Sequence, residues 1–506
     1  MQIDLVAEVL ATCARTPRGT AIVDPRGAEL SFGDLRERVL RIRDRLSAAG
    51  LSRGDGVLYA VRPSPEAVAI ALGVVAAGGV LVLADPGLAP GVLESRLRLA
   101  RPRWVVAESA LYALTAMPPL RALARRRGVL LPDLRDPLPG LAFRHAYTGR
   151  WAPGVPRDAV RLSGTGARPG GTVVELDRAA RRANGEGEPD VLDDPAAVIF
   201  TSGTTAHPRA VVHTRGSLAA GLEMFRDRFP VGPGDVVHSD GLMLGLPALT
   251  GGATWSMPGK PEAISQRDVT HLFCVPVDVT RLGPLPRSLR HLLLGSAPAP
   301  PAVLRAALAA APGAEVLSVY AMTEALPIAL ATAQEKLDHL EGDLLGAPLP
   351  GVGVRVAGDG ELLVSGPHLA RGYLGEPPFT EVATGDLARL DSGGRLVLLG
   401  RKKDMILRAG YNIYPSLYEP GIAALPGVAD AALVGLTDPE SGDEEVVLAL
   451  VPGDGFQEKE VRLRLPELVD AGALPQRVEV LAEFPRSGRA RKLDRAALRA
   501  VLTRRR

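Results

Sequence analysis

Ala197-Val-Ile-Phe-Thr-Ser-Gly-Thr-Thr-Ala-His-Pro-Arg209 is the stretch on which the reading of this chain turns. A buried apolar strand runs directly into a loop dense in hydroxyls, Thr201, Ser202, Thr204 and Thr205, with Gly203 at its turn. Such a loop presents backbone N–H groups and several O–H donors to polyphosphate oxygens, and Arg209 adds positive charge. It is not a GxxxxGK[ST] phosphate loop, because that spacing is absent. Taken alone, a Ser/Thr/Gly turn after a strand is most often only a turn, so its meaning depends on what surrounds it.

Working outward, the pattern is α/β. Toward the N-terminus, Ser31-Phe-Gly-Asp34 offers an N-cap for a helix that ends at Gly50. Gly56 to Val61 reads as a strand, Glu66 to Gly78 as a helix, and Val80 to Leu83 as a buried strand. Alternating strands and helices predict a parallel sheet covered on both faces. Residues 145 to 195 are rich in Gly, Arg, Pro and Asp and predict loops and irregular strands. The α/β pattern resumes from Val198 to Leu330, the texture turns β-rich after Gly353, and strands alternate with helices again from about 405. The expected architecture is a large multi-sheet α/β domain (residues 1–399), a hinge (400–404) and a small α+β domain (405–506).

Composition narrows the function classes. The chain has 506 residues, 46% hydrophobic, and a net charge of +2, so no field argues for nucleic acid or an anionic membrane. Two cysteines, Cys13 and Cys274, are too few for a disulfide framework. The first residues lack a basic segment before a long apolar run, and no uncharged apolar stretch approaches the ~20 residues that span a bilayer. A cytoplasmic protein with no integral membrane association is expected. Only six of its 59 Lys and Arg residues are lysines, and none precedes Lys260. Codon bias accounts for the arginine excess, but a compact ammonium does what a planar guanidinium cannot, which directs attention to Lys402 and Lys403 in GRKKD and to Lys492 in RSGRARKLDR.

Three further pieces follow in order. Val316-Leu-Ser-Val-Tyr-Ala-Met-Thr-Glu324 reads as a strand ending in a Tyr and then Thr-Glu, where the carboxylate suits Mg²⁺, a cation that takes one or two carboxylates plus phosphate oxygens. Thr384-Gly-Asp386 places an Asp able to accept ribose hydroxyls, although a lone TGD is more often a turn. Gly400 to Pro415 sets a charged turn between two apolar segments.

Together these motifs resemble the adenylate-forming superfamily of acyl-CoA synthetases, adenylation domains and luciferases, over nearly the whole chain. The resemblance implies that Thr201, Ser202, Gly203, Thr204 and Thr205, with Arg209, close over the β- and γ-phosphates of ATP. It implies that Tyr320 stacks on adenine beside Gly295, Ser296 and Ala297, that Thr323 meets the α-phosphate, and that Glu324 holds Mg²⁺. Asp386 would bind the ribose with help from Arg401, Lys403 would be the hinge, and Lys492 would bridge the substrate carboxylate and the α-phosphate. Two anions must approach for that step, and one mobile cation lowers their repulsion. The chain departs from the family at Ala206, Arg209 and Ala210, where TSGTTGxPKG is usual, and at Ala321. Lys492 aligns only with a one-residue insertion, which leaves Arg489 and Arg491 as alternatives.

The implied reaction activates a small carboxylic acid with ATP and Mg²⁺, then transfers it to CoA or to the phosphopantetheine of a separate acyl carrier protein. Residues 238–255 would line the acyl pocket. They are small and aliphatic, with Asp240 better placed as a cap than as an amine ligand, which favours an aliphatic or hydroxylated acid. Thr323-Glu-Ala-Leu-Pro327 resembles β-lactone synthetases, in which a 3-hydroxy acid's own hydroxyl displaces AMP. A third reading, a catalytically weak nucleotide-binding paralogue, rests on the altered loop alone.

Overall fold

The computed structural model describes residues 4–84, 90–121, 132–164, 191–201, 209–239, 241–259, 263–339, 342–408, 411–437, 444–469, 471–487 and 491–505. They form two compact units: Met1–Thr270 with Thr323–Leu326 and Pro367–Thr380, and His271–Met322 with Pro327–Gly366 and Glu381–Arg506.

The first unit is built on an eight-stranded sheet in the order Gly372–Tyr373, Ala210–Thr214, Pro195–Phe200, Val80–Leu83, Gly56–Ala60, Trp104–Glu108, Arg144–Thr148, Val160–Arg161. The strands from Pro195–Phe200 outward to Val160–Arg161 pair in parallel. Ala210–Thr214 returns antiparallel on Pro195–Phe200, with Phe200 opposite Ala210. The expected helices and strands are present with small shifts at their ends. Ser31 caps the helix Phe32–Ala48 by accepting the Asp34 N–H at 3.0 Å, and Ser64 caps Pro65–Ala76 in the same way. The second helix is apolar all round because it is buried from Ala67 to Val75. In the stretch expected to be irregular, Arg144–Thr148 and Val160–Arg161 are strands.

The second unit carries a mixed sheet running His271–Cys274, His291–Leu294, Glu315–Met322, Ala325–Thr332, Asp343–Pro348, Leu396–Arg401, Val382–Leu390, Glu361–Ser365, Gly353–Val356, where the first two residues of Ala325–Thr332 count with the first unit. Pairing is parallel at the Glu315–Met322 end and antiparallel from Asp343–Pro348 onward. That change is the β-rich texture read after Gly353. Residues 428–480 add a three-stranded sheet, Val428–Thr437, Glu444–Pro452 and Arg477–Val480. Alternation along a strand sends neighbours to opposite faces. Ala431, Leu433, Val446, Leu448 and Leu450 pack with Ile422, Val461 and Leu465, while Ala432, Val434, Leu436, Val447 and Ala449 pack with Leu498 and Leu502. Both faces are covered, which is why these strands read as unbroken apolar runs.

A bulge in Asp343–Pro348 depends on one glycine. Gly346 sits at φ 98°, and a Cβ there would lie 1.8 Å from the Leu330 carbonyl oxygen. Gly346→Ala is expected to lower unfolding stability by about 1–3 kcal/mol from backbone strain alone, and more through the clash. Thermal unfolding checks this, and an unchanged midpoint would show that the strand slips its register instead.

Candidate active site

In the second unit, three predicted residues meet. Tyr320 lies on Glu315–Met322, which runs two residues beyond it; Asp386 lies on Val382–Leu390 and Arg401 on Leu396–Arg401. Asp386 and Arg401 are direct cross-strand partners in the antiparallel ladder. The Tyr320 hydroxyl donates to Asp386 Oδ2 at 2.6 Å. Arg401 Nε stands 2.7 Å from Oδ1 but off the hydrogen-bonding angle, so the contact is an ion pair that leaves Oδ1 without a donor. Thr384-Gly-Asp386 is part of a strand rather than the turn that a lone TGD suggests. Gly385 takes φ 71°, its N–H donates to Glu361 Oε1, and the Asp386 N–H donates to Thr384 Oγ1, which aims the carboxylate inward.

Asp386 is 3% exposed. Loss of water pushes its carboxyl up; Arg401, the Tyr320 hydroxyl and Lys492 pull it back, while Asp404 adds to the rise. The Tyr320 hydroxyl is itself held far above its ordinary value, chiefly by burial and then by Asp386. Lys492 is on the short ribbon Arg486–Ser487 with Lys492–Leu493. Although the residue as a whole is exposed, its ammonium is shifted below the ordinary lysine value, first by lost solvation and then by Arg401, with Asp386 opposing. Three residues on, Arg495 pairs with Glu419 at 2.7 Å and approaches Asp404 at 3.6 Å. Gly295, Ser296 and Ala297 follow the strand His291–Leu294, and Ser296 adopts φ 67°. Lys403 is the middle residue of the 3-10 turn Lys402–Asp404. Lys402 is committed elsewhere, to Asp359 at 2.7 Å and Glu361 at 2.8 Å.

In the first unit, Thr323 and Glu324 form the turn before Ala325–Thr332. Glu324 is 6% exposed, and its Oε1 accepts the Tyr373 hydroxyl at 2.9 Å. Tyr373 in turn accepts Arg209 Nη1 at 3.2 Å, and the guanidinium lies 4.8 Å from the centre of the Tyr373 ring. Arg209 therefore reaches Glu324 through Tyr373. Thr201 donates its N–H to the Arg209 carbonyl, closing the base of the loop. Ser202, Gly203, Thr204, Thr205 and Ala206 lie outside the described residues, as do Asp240 and Arg489. Ala210, where the family has Gly, is the first residue of a strand and 1% exposed, a place that needs no positive φ. Tyr373 was missed by sequence reasoning, since Arg371-Gly-Tyr carries no spacing signal; so was His213, a lone polar residue in the run Ala210-Val-Val-His-Thr214.

The two clusters suit a nucleotide and its metal. Among the described residues, Oδ1 of Asp386 has Arg401 as its ion-pair partner and no hydrogen-bond donor, which leaves a lone pair that fits a ribose hydroxyl. Glu324 offers a single buried carboxylate, and no group of three or more His, Cys, Asp or Glu among the described residues forms a metal cage. That fits Mg²⁺ held partly by phosphate oxygens. Residues 238–255 fold as the end of Val236–His238, the helix Leu242–Gly251 and Thr254–Ser256, with Gly245 flush against Trp255. A cavity of about 400 Å³ lies against Gly56, Val80, Arg103 and Pro195, where the parallel strands of the first unit begin, and is also lined by Tyr373; none of the sequence-predicted residues lines it.

Residues 9–374 match the family described as AMP-binding enzyme, and the chain belongs to that family. It is 28% identical to a feruloyl-CoA synthase of Streptomyces over 94% of both chains. It is also 28% identical to an olefin beta-lactone synthetase of Xanthomonas campestris, over 86% of this chain and 84% of that one. The solved amide bond synthetase McbA of Marinactinospora thermotolerans shares the fold, with a TM-score of 0.80 at 24% identity over 98% of this chain and 99% of that one. No helix among the described residues is long and apolar enough to cross a membrane.

Because the Tyr320 hydroxyl bond holds Asp386 down, Tyr320→Phe is expected to raise the Asp386 pKa further above the ordinary aspartate value. Carboxyl-carbon NMR of aspartate-labelled protein reads this directly, and an unmoved titration would show that the hydroxyl does not bear on the carboxylate.

Proposed function

We propose that this protein is an AMP-forming acid–thiol ligase that activates an aliphatic or hydroxylated carboxylic acid as its acyl-adenylate and passes the acyl group to CoA or a carrier-protein phosphopantetheine. The observation that carries the reading is the buried Asp386 carboxylate, met by Arg401 from the adjacent strand and by Tyr320 from a strand farther along the same sheet, in a member of the AMP-binding family. In this reading Asp386 takes the ribose, Tyr320 the adenine, Glu324 the Mg²⁺ and Thr323 the α-phosphate, with residues 201–205 and Arg209 over the terminal phosphates. The metal supplies charge for the departing pyrophosphate; the chain's own residues bind and orient. Lys492 brings its ammonium between carboxylate and α-phosphate, and residues 405–506 rotate about Lys403 between half-reactions. Arg495 supports the alignment of Lys492, since its pairing with Glu419 fixes the segment that follows.

The acid preference draws on the helix Leu242–Gly251, whose residues Leu242 to Leu244 are half-buried and uncharged. The Xanthomonas relative and the Thr323-Glu-Ala-Leu-Pro327 segment favour a second reading, in which a 3-hydroxy acid closes on its own adenylate to a β-lactone.

The test is product identification by mass spectrometry, with ATP, Mg²⁺ and a panel of aliphatic and 3-hydroxy acids, each with and without CoA. A thioester formed only with CoA supports the ligase. A product lighter than the acid by one water, accumulating without thiol, supports the lactone. ATP–pyrophosphate exchange with no acid in the panel would defeat both.

Lys492→Ala is expected to reduce adenylation by about 10²–10³-fold, the usual loss for a positioned charge, and to spare thioester formation from a supplied acyl-adenylate. Equal loss in both steps would make the lysine structural. With its ammonium lowered, Lys492 loses its proton at a lower pH than an ordinary lysine, so the charge is present below that point and lost above it. Wild-type exchange should therefore fall on the alkaline side below the ordinary lysine range, and a flat alkaline profile would contradict the assignment.

A further inference from the structure

The turn carrying Thr323 and Glu324 is held within the first unit by backbone and by one imidazole. The Ala370 N–H donates to the Glu324 carbonyl at 2.8 Å, and Ala325 bridges Leu369. On the other side, His213 Nε2 lies 2.7 Å from the Thr323 carbonyl oxygen. His213 is near the end of the strand Ala210–Thr214 and is 1% exposed. A carbonyl oxygen only accepts, so Nε2 carries the hydrogen and Nδ1 of the neutral ring is an acceptor. Ser217 Oγ stands 3.2 Å from Nδ1 and 3.2 Å from the Thr214 carbonyl oxygen, so its one hydrogen is shared between these two acceptors. Ser217 is the third residue of Arg215–Arg228 and shares a capping box with Thr214, so the ring is oriented by the start of a helix.

A second imidazole stands nearby. His368 is 0% exposed, and neither of its ring nitrogens has a hydrogen-bond partner among the described residues. Burial lowers the pKa of His213, and burial followed by the neighbouring His213 takes His368 down to about 4. Both rings are thus neutral at physiological pH, as a single-donor tautomer of His213 requires.

We propose that His213 is the positioning residue for the metal-binding turn: its Nε2–H, oriented by Ser217, fixes the Thr323 carbonyl and hence the peptide from which the Glu324 carboxylate and the Thr323 hydroxyl are aimed. The inference rests on the reading of Glu324 as the ligand of the ATP-bound Mg²⁺. Without this hydrogen bond the peptide plane is free to turn, and a shift of about 1 Å at a reacting centre costs on the order of 10²-fold in rate. Tyr373 holds the carboxylate itself through Oε1; His213 holds the chain beneath it.

Two variants separate the hydrogen bond from mere packing. His213→Gln places an amide N–H where Nε2–H stood, whereas the shorter His213→Asn reaches only to the Nδ1 position. ATP–pyrophosphate exchange is expected to be largely retained in the Gln variant and to fall by on the order of 10²-fold in the Asn variant, with the free-Mg²⁺ requirement moved to higher concentration. Equal loss in both variants, or none in Asn, overturns the proposal. Nitrogen-detected NMR of histidine-labelled wild-type protein at neutral pH supplies a readout apart from activity and decides the matter if the Asn variant does not fold. The Nε2–H tautomer is expected for His213, and an Nδ1–H or charged ring overturns the proposal. If the wild-type protein shows no exchange with any acid, the functional reading fails, while the tautomer and the Mg²⁺ dependence of ATP binding by calorimetry still judge His213.

Discussion

A carboxylate taken almost wholly out of water is the constraint on which the second unit's site depends. Asp386 is 3% exposed, and lost solvation alone would drive it toward its neutral form. What opposes that drive is the surrounding chain: a hydroxyl from one strand, a guanidinium from the adjacent strand, and an ammonium from the C-terminal ribbon. None of these contacts satisfies Oδ1 with a hydrogen bond. Oδ1 is held by charge, with Arg401 Nε 2.7 Å away, and keeps a lone pair open to a further donor.

The same economy governs the positive charges. Lys336 is buried against Asp343 and the Leu344 carbonyl, and Lys402 is clasped by two carboxylates. Arginines meanwhile supply the planar contacts, Arg401 on Asp386, Arg209 over the Tyr373 ring and Arg495 on Glu419. In these contacts the ammonium is enclosed as a compact charge and the guanidinium lies flat against its partner.

The sequence was legible where local chemistry decides the outcome. Ser31 as a cap, the apolar run at Val80–Leu83 and the strand before Thr201 follow from residue type and period. The site was legible as motifs but not as contacts. Asp386 faces Arg401 because of a register across an antiparallel pair, and a register shift lies one residue away between Leu387 and Ala388. Period-two alternation specifies a face and leaves the partner open. For the same reason a lone Thr384-Gly-Asp386 read more readily as a turn: a glycine at φ 71° has the local signature of a turn and here bends a strand. Tyr373 and His213 left no trace, because a Tyr beside a Gly and a His in an apolar run are ordinary until the neighbouring carboxylate and carbonyl are known.

Two lysines show how placement alone sets the behaviour of identical groups. Lys402 sits between Asp359 and Glu361, and both carboxylates raise its ammonium above the ordinary value. Lys492 is moved the other way by lost solvation and by Arg401, and only Asp386 restrains the fall. A cation that is already doubly paired gains little from a further anion. One that has lost part of its hydration and lies beside another cation gains most when two anions arrive together. Carboxylate and phosphate are such a pair, and their arrival neutralises the repulsion from Arg401 as it raises the ammonium. The ligands that need the charge therefore stabilise it, and the lysine is at its least comfortable in their absence.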